Sequence, residues 1–267
     1  MLKRAWVRGL VVLAVLASIG VGGSGIAVAG DVSKPVVFAP RAPSPIVIDG
    51  ELDDWVFAKA NAILLDEQAQ LTPGYDDPAK WLDWTDLSAI VYVAYDDEYL
   101  YVAYDVWDDR VIQNFSGQYI YNGDGPELYL DFNPAAEATT YNENTWQFGF
   151  TPGTEAAAPA WVLYGQVAGR VLDSSAVKVA AKRDEYGYVL EAAISLAALG
   201  VSIQPGAVIG FDVAVNDVDS DAATETENQI ILSGSADGWQ NPSVFVPLVF
   251  YGDSTVVKAF LKSAVQQ

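Results

Sequence analysis

A two-sheet antiparallel β-sandwich, jelly-roll or immunoglobulin-like and all-β with very little helix, is what the apolar pattern of this chain predicts. Three observations lead there. Residues 87–95 and 99–106 form two runs rich in Val and Tyr, separated by Asp96, Asp97 and Glu98, which is the pattern of a hairpin with an acidic turn. Residues 126–132 alternate cleanly: Leu128, Leu130 and Phe132 share one face, Glu127, Tyr129 and Asp131 the other, so one face enters a core. Further strand-like runs at 145–150, 176–181, 186–194, 207–216, 229–232 and 244–250 have the number and spacing of a sandwich.

Taken in chain order, the first residues read as an export signal. Lys3, Arg4 and Arg8 precede an apolar stretch over about 10–21, and Ala27-Val28-Ala29 forms a small-residue cleavage site before Gly30. A signal peptide over 1–29, cut after Ala29, predicts a secreted or extracytoplasmic protein, and no second apolar span follows it. The sandwich is expected over 30–251. Its leading segment carries Pro35, Pro40, Pro43 and Pro45 and suits an extended or edge strand. Residues 66–86 and 151–159 are long polar or Ala/Pro-rich loops, where binding groups often sit. Residues 195–200 end in glycine and read as one helical turn between strands. The tail, 252–267, has an amphipathic pattern with Val256, Val257, Phe260 and Leu261 on one side.

Composition removes whole classes of chemistry. The 267 residues include no His and no Cys, and the single Met is Met1. The mature chain therefore has no Ser-His-Asp or Cys-His nucleophile, no ordinary zinc site, no usual axial ligand for haem and no disulfide. Its 35 Asp+Glu against 14 Lys+Arg give a net charge of -21, which repels nucleic acid and anionic lipid but not a neutral polysaccharide. The same charge also serves solubility. Hard cations with oxygen ligands stay open.

Six segments stand out in order. They are residues 45–55, Pro-Ile-Val-Ile-Asp-Gly-Glu-Leu-Asp-Asp-Trp; the stretch from Asp96 to Val102 with Val106-Trp107-Asp108; and segments 124–131, 187–194, 205–217 and 239–245, a set that spans nearly the whole expected mature chain. Together they resemble family 9 carbohydrate-binding modules, the first being similar to the opening motif of the family, with Trp55 one position early, and the second to its hairpin. The resemblance implies a sugar held between two aromatic rings, since a pyranose offers an apolar face and a hydroxyl rim. It places one ring at Tyr121, six residues before Glu127, and the other at Trp239, with Glu127 as a hydroxyl acceptor. Plain competitors are a Tyr121 packed on the sandwich edge, a buried Trp239 and a solvated Glu127. Where the family has an arginine this chain has Gln147-Phe148-Gly149, and Ser235, Ala236 and Asp237 stand where it has an asparagine.

The resemblance further implies structural calcium at Asp108, with Asp49 and Glu51 of the opening motif offering further oxygens. The run 216–221, Asn-Asp-Val-Asp-Ser-Asp, lacks the glycine and glutamate of an EF-hand and reads as a solvated acidic loop. The function expected is a secreted, non-catalytic module that binds a neutral oligo- or polysaccharide, with a glycoside hydrolase as possible partner. Against it stand a cell-surface adhesion protein on the same sandwich and a haem-carrying electron-transfer relative. The latter is disfavoured by the missing axial ligands. Catalysis has no support, because no spacing singles out an acid/base pair.

Overall fold

The computed structural model describes residues 34–75, 80–154, 156–165 and 167–252; the expected signal peptide and nearly all of the C-terminal tail lie outside them. The elements are β1 (Val37–Pro40), β2 (Ile63–Leu65), β3 (Leu87–Tyr95), β4 (Tyr99–Asp108), β5 (Gly125–Asp131), β6 (Thr145–Thr151), β7 (Ala160–Leu163), β8 (Val177–Asp184), β9 (Gly187–Ser195), α1 (Leu196–Leu199), β10 (Val208–Asp217), β11 (Asn228–Ile231) and β12 (Val246–Tyr251). One sheet has seven strands in the order β1-β12-β10-β5-β6-β7, with β11 also paired to β10. The other has five, ordered β2-β3-β4-β9-β8. This is the expected sandwich, and nine of its strands fall within a few residues of the runs read from the sequence.

β1 departs from antiparallel pairing: it runs parallel to β12, with Val37 opposite Leu248. The leading segment reaches the sheet only at its edge, where Pro35 and Pro40 cost no ladder bond. The chain then crosses to the second sheet, where the Ala42 amide donates to the Tyr95 carbonyl at 2.7 Å. β2 and β7 were not legible in the sequence. Each is a short edge strand, and β7 is half exposed throughout, so it lacks the apolar alternation that marks a strand. α1 is the expected single turn, capped by the Ser195 hydroxyl at its start and by Gly200 at φ +72° at its end.

Alternation fills the space between the sheets. Leu100, Val102, Tyr104 and Val106 of β4 face Leu128 and Leu130 of β5, Phe148 and Phe150 of β6, and Phe211, Val213 and Val215 of β10, all essentially buried. Tyr95 meets Phe250 edge-on across the sheets at 5.1 Å. Tyr104 spans the core and donates to the Glu127 carbonyl at 3.0 Å, which ties β5 to the opposite sheet.

The opening motif covers the outer face of the five-stranded sheet. Trp55 is fully buried against Tyr92, Tyr101, Ala103 and Ala193, and its indole donates to Glu191 Oε1 at 2.7 Å. The other oxygen of Glu191 accepts the amides of Gly50 at 2.6 Å and Asp49 at 3.0 Å. Gly50 is needed at its φ of +84°, where a Cβ would lie 3.0 Å from the backbone of Ala181 and Lys182. The Asp-Gly-Glu sequence is therefore a latch onto β9, and Glu51 pairs with Lys182 at 2.6 Å.

Candidate functional site

The outer face of the seven-stranded sheet carries a cavity of about 400 Å³. Strand periodicity decides which side chains form its floor. Since Leu128 and Leu130 face the core, Glu127 and Tyr129 face outward; by the same parity so do Gln147 of β6, Asn216 of β10, and Gln229 and Ile231 of β11. Register brings them together: Glu127 is opposite Ala214 on one side and Gly149 on the other, and Asn216 is opposite Gln229.

Glu127 is buried rather than solvated. Its Oε2 accepts from the Tyr129 hydroxyl and from Gln147 Nε2, each at 2.8 Å, and its Oε1 accepts from Asn216 Nδ2 at 2.8 Å. A line of bonds continues outward: Gln229 Nε2 donates to Asn216 Oδ1 at 2.7 Å and Thr72 Oγ1 donates to Gln229 Oε1 at 2.6 Å. Burial raises the Glu127 pKa, and these three donors oppose the rise by favouring the carboxylate. A carboxylate has about four acceptor sites, so one on Oε1 remains for a donor entering the cavity.

Two aromatic side chains rise from loops at the rim. Tyr121 is 41% exposed and stands on a 3-10 turn, Gly117–Asn122. That turn is held by Gln113, whose Nε2 donates to the carbonyls of Ile120 and Asp124, and by the Thr226 hydroxyl, which donates to the Tyr121 carbonyl. Trp239 is 51% exposed, on a loop fixed where Tyr141 donates to the Gly238 carbonyl at 2.8 Å. Both rings and Glu127 line this one cavity. Neither ring is packed into the interior. Tyr75, Tyr164, Asn216 and Gln229 also line it and were not foreseen. Tyr75 lies in one of the long loops, which was a signal; the two amides needed the strand pairing.

The carboxylates expected to hold calcium separate. Asp108 faces inward at the end of β4, whereas Asp49 and Glu51 lie on the opposite, outer face of that sheet, engaged with Glu191 and Lys182. Strand parity thus prevents the three from sharing one ion. Asp108 instead meets Asp124 and Asp217, with oxygens all within 4.8 Å of one another, and Asp217 forms a second group with Asp86 and Asp219. The acidic run 216–221, which begins inside β10, is accordingly not all solvated: Asp217 is 1% exposed. Burial pushes the Asp108 carboxyl up to about 7 and raises Asp124 and Asp217, where neighbouring acids add to the effect. Among the described residues, Asp108 Oδ2 and Asp217 Oδ1 are buried without a hydrogen-bond partner. Hard oxygens converging from separate strand ends suit a calcium ion in chemistry.

Asp212, also outward on β10, is fully buried; its Oδ1 accepts the amides of Val213 and Ser233 while Oδ2 has no hydrogen-bond partner among the described residues. Desolvation pushes its pKa up to about 7, so the native state holds this proton more tightly than the unfolded chain, whose Asp titrates near 4. Its contribution to stability is thus highest below about pH 4 and falls as pH rises to about 7. Urea unfolding at pH 5 and pH 8 should show Asp212→Asn narrowing the stability gap between the two by on the order of 2 kcal/mol; an unchanged gap would contradict this.

A family model described as "Carbohydrate family 9 binding domain-like" matches residues 48–252. Two curated relatives are similar in sequence: Exoglucanase XynX of Acetivibrio thermocellus, 28% identical over 225 residues, and Endo-1,4-beta-xylanase A of Thermoanaerobacterium saccharolyticum, 32% identical over 161. The matches cover 84% and 59% of this chain but only 18% and 12% of those proteins, so the chain spans less than a fifth of either. Among solved structures, a family 9 module from Caldicellulosiruptor kristjanssonii in complex with cellotriose superposes with TM-score 0.59 at 24% identity, covering 82% of this chain and 95% of that one. The same module in complex with glucose gives 0.59 at 23%, covering 82% and 97%. At those identities the likeness is one of fold.

Proposed function

Because the chain belongs to the carbohydrate family 9 binding domain-like family, we propose that it is a non-catalytic module that grips a neutral sugar between Tyr121 and Trp239. One observation carries the reading: two exposed rings and the buried, hydrogen-bonded Glu127 line a single cavity of about 400 Å³, within the range typical of small-molecule sites. The rings supply flat apolar surface for the C–H face of a pyranose. Glu127, Gln147, Asn216 and Gln229 supply an oriented rim for its hydroxyls. Among the described residues no Lys or Arg lines the cavity, so a neutral sugar suits it better than a uronic acid. Among the described residues Glu127 is the one carboxylate lining it, whereas glycoside hydrolysis ordinarily uses a pair.

The two curated relatives named above are hydrolases of which this chain matches a small part, which supports a role beside a glycoside hydrolase on polysaccharide outside the cytoplasm. The basic and apolar start of the sequence supports export through a cleaved signal. Calcium belongs to the same reading. Asp108, Asp124 and Asp217 would hold it, their two unpartnered oxygens gaining a ligand and their mutual repulsion a counter-charge.

Isothermal titration of glucose, xylose and cellotriose tests the sugar grip. Trp239→Ala should weaken the tightest of them about thirtyfold or more, as for a central aromatic contact, with an unchanged melting temperature. Undiminished binding in that variant, or no binding by the native protein, would refute it.

A further inference from the structure

Tyr164 follows β7, and its amide donates to the Gln147 carbonyl at 3.0 Å. That bond brings the ring back over β6, above Gly149. A Cβ on Gly149 would lie 2.7 Å from Cζ and 2.8 Å from Cε2 of the phenol, so the absence of a side chain at 149 is what makes room for it. Its ring stands edge-on to Tyr121, centroids 5.9 Å apart at 72°, and so backs one of the two rim aromatics. The hydroxyl is buried, and among the described residues nothing accepts its proton; the Tyr121 amide leans toward the oxygen without closing a hydrogen bond. Burial and the nearby Glu127 charge keep the phenol protonated.

A buried hydroxyl without a partner is unfavourable and uncommon in a folded protein, and here it belongs to a side chain that lines the cavity. The other polar groups on the floor are tied to one another, as Glu127 is to Gln147 and Asn216. We infer that Tyr164 is a specificity-determining residue whose hydroxyl donates to one hydroxyl of the bound sugar, from the space that Gly149 leaves empty. This rests on the cavity being a sugar site. It gives the chain a neutral donor beside the position where its sequence lacks an arginine, and so a contact that ranks sugars by hydroxyl position without favouring charge.

Tyr164→Phe removes only the oxygen. Titration with the tightest binder among glucose, xylose and cellotriose should show a loss of about fivefold to tenfold. With the monodeoxy analogues of that sugar, one analogue should bind native protein and variant equally, because the bond is already missing from both. The variant should melt no lower than the native protein, since it sheds an unsatisfied group. Equal affinity of variant and native protein for the parent sugar, a uniform loss across all analogues, or a lower melting temperature would each overturn the role of Tyr164 while leaving the sugar site standing. Failure of the native protein to bind any sugar overturns both.

Discussion

Glu127→Ala should abolish measurable sugar binding, a loss of about a hundredfold or more, and lower stability by about 2–3 kcal/mol. The size follows from how many groups depend on this one carboxylate. Its removal takes the Glu127 acceptor from the Tyr129 hydroxyl, Gln147 Nε2 and Asn216 Nδ2, and all three residues are buried. Asn216 and Gln229 are held in orientation only because Glu127 accepts and cannot donate. Glu127→Gln separates the two effects. Its amide brings a donor into a nest of donors, so either the outward line through Asn216, Gln229 and Thr72 or the bonds from Tyr129 and Gln147 must reverse or break. The glutamine variant should stay within about 1 kcal/mol of native stability yet bind sugar at least about tenfold more weakly. Chemical denaturation and titration calorimetry on both variants check this. Native-like binding by Glu127→Gln would show that the floor does not read hydroxyls.

Stripping the protein with a calcium chelator should lower its melting temperature by about 5–10 °C, and added calcium should restore it. Saturation at about a hundred times the dissociation constant stabilises by about 2.7 kcal/mol, and each kcal/mol moves the midpoint of a domain this large by about 2–4 °C. Asp217→Asn should lose most of the response, because Asp217 belongs to both carboxylate groups. Sugar affinity should fall on chelation as well. Asp217 is the chain neighbour of Asn216, and Asn228, which donates to Asp217 at 3.1 Å, is the neighbour of Gln229. Asp217 and Asn228 on the inward side and Asn216 and Gln229 on the outward floor are thus opposite faces of the same two strands, β10 and β11. A scan in which chelator and calcium leave the midpoint unmoved would rule out a structural ion there.

Much of the fold was legible because its information is local. The alternation in β5 identified Leu128 and Leu130 as core and Glu127 as outward, and the hairpin of β3 and β4 was readable from two adjacent runs. β2 and β7 were not: both are short edge strands, three residues being too few to show a period in β2, and β7 being held by pairing more than by burial. Site residues divide along the same line. Tyr121, Glu127 and Trp239 were named from segments that resemble a family, and all three line one cavity. Asn216 and Gln229 carry no mark in the sequence, since an amide on a strand is ordinary until its neighbour is known.

The residues alone narrowed the chemistry to expect: without imidazole or thiol, recognition has to draw on carboxylates, amides, hydroxyls, rings and the 14 Lys and Arg. Alternation also settled that each strand has one face for the core. Which carboxylates would meet was left to tertiary structure, and there Asp108 found Asp124 and Asp217 while Asp49 and Glu51 went to the latch on the far side of the sheet. A period of two along a strand is a property of neighbouring residues, but contact across strands depends on register. Register is set by pairings between segments as distant as β5 and β10.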